Sequence, residues 1–155
     1  MTRISDYIKL AFIKTDSQSK SKKKIIEEMV KMLEDAKEVS KKKSLEVYKA
    51  LLRRESMGST GIGQGVALPH VKISIIKKTR LLFANSASGI EFNSLDGEPV
   101  NIVFLLVGPD TSGAEYIKIL STLAQNLNDP YFRRSLAAAR KKKEVLDVIR
   151  KKEKS

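Results

Sequence analysis

The sequence predicts an α/β fold, a central sheet covered by helices on both faces. Three observations predict it. The stretch "VNIVFLLVG" (100–108) is a continuous apolar run of strand length, the pattern of a strand buried on both sides. Towards both ends of the chain, apolar residues recur every three and four positions, the helical period. Between these regions, glycines at 58, 61, 63 and 65 interrupt any helix and leave room for short strands and turns.

In order, "KLAFIK" (9–14) reads as a short strand. Ile25, Ile26, Met29, Val30, Leu33 and Ala36 share one face of a helix over 20–36. Leu45, Tyr48, Leu51 and Leu52 do the same for a helix over 44–55. "GVALP" is a strand that Pro69 ends, and "RLLFANS" is a second strand. Asp96–Gly97 marks a turn before the central apolar strand. In "SGAE", Ser112 and Glu115 have the spacing of a capping box that opens a further helix. Tyr116, Leu120, Leu123, Ala124 and Leu127 line its inner face, and "NDP" (128–130) breaks it. Further helices run through "FRRSLAAAR" and "EVLDVIRK". With 155 residues, no repeat and no Pro/Gly-rich hinge, the expectation is one domain over 1–155 with its core in 5–150.

Composition removes several function classes. There is no cysteine, so disulfides, thiolate nucleophiles and cysteine metal sites are excluded. One histidine rules out a histidine-rich metal site, and no carboxylates cluster to replace it. No metal and no cofactor are expected. The N-terminal "MTRISDYIKLAFIKTD" lacks the unbroken apolar core of a signal peptide, and no stretch approaches the roughly 18 apolar residues of a membrane span. A cytoplasmic location is expected. The net charge is +12, carried in lysine blocks such as "SKSKKK" and "RKKEKS". These read as solvated helix ends, and without interleaved aromatics they do not specify nucleic acid.

The chemistry-bearing stretch is "GIGQGVALPH" (61–70), which ends on the only histidine. It is not a dinucleotide fingerprint: Val66 stands where the third glycine belongs, and a strand follows rather than a helix. There is no Walker lysine and no G-x-S-x-G elbow. Pro69 stiffens the backbone into His70, which lies at a strand end, where α/β folds place their sites. The preceding glycines allow close backbone approach and can aim amides at an anion. These features suit an imidazole that accepts a phosphoryl group.

The longer stretch "RRESMGSTGIGQGVALPH" resembles the phosphorylation-site motif of the enzyme IIA domains of the phosphotransferase system, fructose/mannitol class. The nitrogen-regulatory branch is the most similar. That motif is an acidic residue, a six-residue spacer, then I-G-x-G-[VI]-A-[LI]-P-H. Here Glu55 is followed by "SMGSTG" and "IGQGVALPH". "SLDGEPVNIVFLLVGP" and "YIKILSTLAQNLNDPYFRRSL" are also similar to family segments, so the resemblance spans residues 5–150.

The resemblance implies a mixed sheet between helices, with His70 as the phosphoryl acceptor, bonded through Nε2. It implies the phosphocarrier protein HPr as donor, and a IIB domain or a regulatory target as acceptor. Arg54 matches an arginine near the active histidine, with Arg53 beside it able to play the same part. Ser59 and Thr60 are candidate hydroxyl donors to the phosphoryl group. Two positions depart from the family. Val71 stands where a small residue is usual, and Tyr116 stands where the family has a second histidine. A competing reading keeps the fold and makes the chain a non-catalytic module that holds an acidic partner or nucleic acid on its basic surface. Salt-dependent binding to generic duplex DNA separates the two readings.

Overall fold

The computed structural model describes residues 2–155. Its centre is a six-stranded mixed sheet. Its strands are β1 (Ile13–Lys14), β2 (Gly61–Gly63), β3 (Val66–Ala67), β4 (His70–Lys72), β5 (Arg80–Ile90) and β6 (Val100–Gly108); five run in the order β1-β5-β6-β3-β2, and β4 pairs with β6 beyond β3. β6 is the apolar run that the sequence marks as central. It pairs antiparallel with β5 on one side, with Phe83 opposite Phe104, and parallel with both β3 and β4 on the other. Pro69 lacks an N–H, so it interrupts that second edge, and β3 and β4 lie end to end along one partner strand. The chain stays in register across the gap because the amide of Leu106 donates to the Pro69 carbonyl at 3.0 Å.

Among the described residues five α-helices surround the sheet: α1 (Lys22–Asp35), α2 (Lys41–Ser56), α3 (Gly113–Asn126), α4 (Pro130–Ala138) and α5 (Lys142–Lys154). Ser21 and Ser40 cap α1 and α2 by accepting from the amides of Lys24 and Lys43. α4 starts with Pro130 in its first turn and Asp129 as its cap, which is why the chain breaks at "NDP". Five phenylalanines, Phe12, Phe83, Phe92, Phe104 and Phe132, fill the continuous core between sheet and helices. Among the described residues no helix is long and apolar enough to cross a membrane.

Four expectations need correction. "KLAFIK" forms a 3₁₀ turn over Leu10–Phe12, and only Ile13–Lys14 joins the sheet, parallel to β5. α2 turns Val47, Ala50, Leu51 and Glu55 inward and leaves Leu45 exposed. α3 buries Ile119 instead of Ala124. Its capping box does not form. Ser112 Oγ donates back to the Pro109 carbonyl at 2.7 Å, and Glu115 is occupied by Tyr7 Oη at 3.0 Å and Thr79 Oγ1 at 2.8 Å. Tertiary partners outcompete the local motif.

The β2–β3 hairpin packs on the 93–99 loop with no space to spare. A Cβ at Gly61 would lie 2.5 Å from Ser94 Oγ and 3.0 Å from Ser94 Cα. Backbone cannot rotate away as a side chain can. Gly61→Ala is expected to destabilise the fold by about 1–3 kcal/mol, read as a lower midpoint in urea unfolding. An unchanged midpoint would show that the loop yields freely.

Candidate functional site

His70 opens β4 opposite Leu106 and is half-buried. Its Nδ1 lies 2.6 Å from the carbonyl oxygen of Leu68. A carbonyl only accepts, so Nδ1 carries the proton and donates it, and the lone pair is on Nε2. The stiff Leu68–Pro69 backbone thus fixes both the ring and its tautomer.

The last turn of α2 supplies the neighbouring charge. Arg54 Nη1 donates to the Gly58 carbonyl at 2.9 Å, which ties the guanidinium to the loop that follows the helix. Arg53 is exposed. Glu55, between that turn and the sheet, is 7% exposed. One of its oxygens accepts from the Thr60 amide at 3.0 Å and lies 3.2 Å from Lys22 Nζ, and the other accepts from the Thr60 hydroxyl. Ser59 Oγ donates to the Phe92 carbonyl at 2.7 Å and accepts from the Gly61 amide at 3.0 Å. In this arrangement both hydroxyl protons, on Ser59 and Thr60, are engaged by the protein itself.

Tyr116 at the start of α3 comes next to the histidine. The ring centroids are 6.2 Å apart, tilted by 58°. Burial pushes the phenol well above its ordinary range, with the Arg54 charge pulling the other way, so Tyr116 meets His70 as a neutral hydroxyl-bearing ring. Lys72 was not anticipated from the sequence. Its Nζ lies 5.6 Å from the centre of the Tyr116 ring. Strand alternation was the available signal, since residues two apart on β4 share a face. The same alternation turns the half-buried Val71 to the opposite face.

The glycines serve the hairpin rather than an external anion. Gly63 and Gly65 have φ of +97° and +77°, with Gln64 between them at +58°. The space beside each glycine is filled by Asp96 and by Asn101, each 3.2 Å from where a Cβ would be. The Gln64 amide does meet a negative charge, but it is the Asp96 carboxylate at 3.0 Å. A bond from the Glu98 amide, and then that from Gln64, hold the Asp96 carboxyl below its usual range.

Residues 6–152 match the family described as phosphoenolpyruvate-dependent sugar phosphotransferase system, EIIA 2. The chain belongs to this family. A nitrogen regulatory protein of Bradyrhizobium diazoefficiens is 36% identical to this EIIA over 129 residues, 83% of this chain and 82% of that protein. The fructose-specific EIIABC component of Bacillus subtilis is 33% identical over 148 residues, 95% of this chain but only 23% of that protein. The crystal structure of the nitrogen regulatory protein IIA-Ntr from Neisseria meningitidis superposes with a TM-score of 0.86 at 32% identity, covering 94% of this chain and 98% of that one. The mixed α/β architecture is that of the family. EIIA proteins are phosphotransferase components, and a phosphoryl carrier or regulator role follows from membership.

Proposed function

We propose that this EIIA accepts a phosphoryl group from phospho-HPr on Nε2 of His70, and signals by its phosphorylation state or passes the group to a IIB domain. The observation that carries the reading is the Nδ1–H bond to the Leu68 carbonyl, which leaves Nε2 as the nucleophilic nitrogen. In the step, the Nε2 lone pair forms a bond to phosphorus as the donor's P–N bond breaks. The electron pair of that bond leaves with the donor imidazole. Phosphorylation adds negative charge, by analogy with other phosphoresidues about −1.5 to −2. Arg54, whose charge acts on Tyr116, and Lys72, 5.6 Å from the Tyr116 ring centre, both suit phosphate oxygens. Tyr116 can add one neutral donor. The 36% identity to a nitrogen regulatory protein and the TM-score of 0.86 to IIA-Ntr favour the signalling branch.

Intact mass after incubation with phosphoenolpyruvate, enzyme I and HPr tests the proposal. One acid-labile phosphate per chain is expected. No uptake, from a donor that loads another EIIA, would transfer the lead to a non-catalytic binding module.

Tyr116→His probes the departure from the family. A second imidazole can carry positive charge toward the phosphoryl group where a phenol cannot. The variant is expected to be phosphorylated about tenfold faster, the effect of one charge-assisted hydrogen bond. Identical transfer rates and phosphohistidine lifetimes would remove Tyr116 from the site.

A further inference from the structure

We propose that a second cavity, separate from His70, binds a small polyanion: a metabolite that carries two or more adjacent phosphates. The cavity has a volume of about 390 Å³ and is lined by Lys37, Lys43, Lys77, Lys78 and Arg80, with Glu38 as its one carboxylate. That carboxylate is already neutralised. Arg80 Nε lies 2.7 Å from one of its oxygens and Lys9 Nζ 3.8 Å from the other. Among the described residues, none of the four lining lysines has a carboxylate within ion-pairing distance.

A solvated helix face does not account for this cluster. The cations come from four places in the chain: the loop after α1, the first turn of α2, the connection between β4 and β5, and the first residue of β5. Their backbones are anchored by Leu33, Val39 and Ile76, all buried beneath the cavity. Like charges held around one concavity repel each other, and Lys43 also opposes the positive end of the α2 dipole. An anion seated between them relieves both costs. A chain of phosphates offers several charged acceptors to several cations at once, which a single phosphate cannot do across this volume. The site shares no residue with His70, Arg54, Lys72 or Tyr116, so the proposal stands independently of the phosphoryl-acceptor reading.

Calorimetric titration of the unphosphorylated full chain at physiological ionic strength tests it, with ATP and with inorganic tripolyphosphate as probes. Both are expected to bind one per chain. Lys43→Gln/Lys77→Gln/Lys78→Gln is expected to weaken binding by about tenfold or more, since three cations that face the anion are removed at once. Lys141→Gln/Lys142→Gln/Lys143→Gln, with the same loss of charge on the α5 end, should leave affinity within about twofold. All three substituted cavity lysines are exposed, so folding is not at risk. No binding of either probe, or equal weakening in the two triple variants, would overturn the proposal. So would loss of binding in Arg54→Gln, which would place the anion beside His70 instead.

Discussion

His70→Ala, incubated with phosphoenolpyruvate, enzyme I and HPr, is expected to take up no phosphate at all. The loss is complete rather than partial because the chain has no other histidine and no cysteine to take over. The attachment atom is a sharper test. Nδ1 is bonded to the Leu68 carbonyl at 2.6 Å, so phosphorylation there would require the ring to break that bond and leave a buried carbonyl unpaired. Nitrogen chemical shifts of the phosphorylated wild type should therefore report the phosphate on Nε2. An Nδ1 phosphohistidine would contradict the tautomer on which the mechanism rests. Phosphate uptake retained by His70→Ala would move the acceptor elsewhere in the chain altogether.

What the sequence made legible and what it hid divide along the range of the interactions. β6 was readable because six consecutive apolar residues leave no solvent-facing side to a strand, and it is the strand paired on both edges. The stiff entry into His70 at a strand end was readable because Pro69 and the imidazole are neighbours in the chain. The α3 capping box failed because Glu115 finds Tyr7 and Thr79, partners 108 and 36 residues away that local spacing cannot register. Leu45 misled because helical periodicity gives a stripe but not its rotation, and α2 turned by enough to bury Val47 instead. Ser59 and Thr60 lie in the loop between α2 and β2, as the turn residues of that stretch suggest. Which acceptors their hydroxyls find depends on Phe92 and on the inward turn of Glu55, both set by the tertiary fold. Lys72 escaped because lysine blocks elsewhere made one more lysine unremarked, and only the α3 approach gives it a partner ring.

Glu55→Leu is expected to produce the largest loss of stability of any single change near the site. The Glu55 side chain is 3% exposed and its partner Lys22 is 16% exposed, at 3.2 Å. Removing one member of such a pair strands the other charge, a penalty of about 3–5 kcal/mol. Lys22 retains some water and also lies 5.2 Å over the Phe92 ring, which argues for about 3 kcal/mol. The leucine also leaves the buried Thr60 amide and hydroxyl without their acceptor. For a chain of this size, thermal unfolding should move down by roughly 6–12 °C. Lys22→Leu added to Glu55→Leu should recover part of that loss, because it removes the stranded ammonium. The functional consequence follows from the neighbouring residue. Arg54 is held to Gly58, inside the loop whose far end Glu55 clamps through Thr60. Once the clamp is gone, the guanidinium no longer has a fixed position relative to His70. Phosphoryl transfer should then slow at temperatures where Glu55→Leu is still fully folded, and the double variant should regain stability without regaining rate. If stability and rate recover together, Glu55 only supports the fold, and the positioning of Arg54 must come from α2 alone.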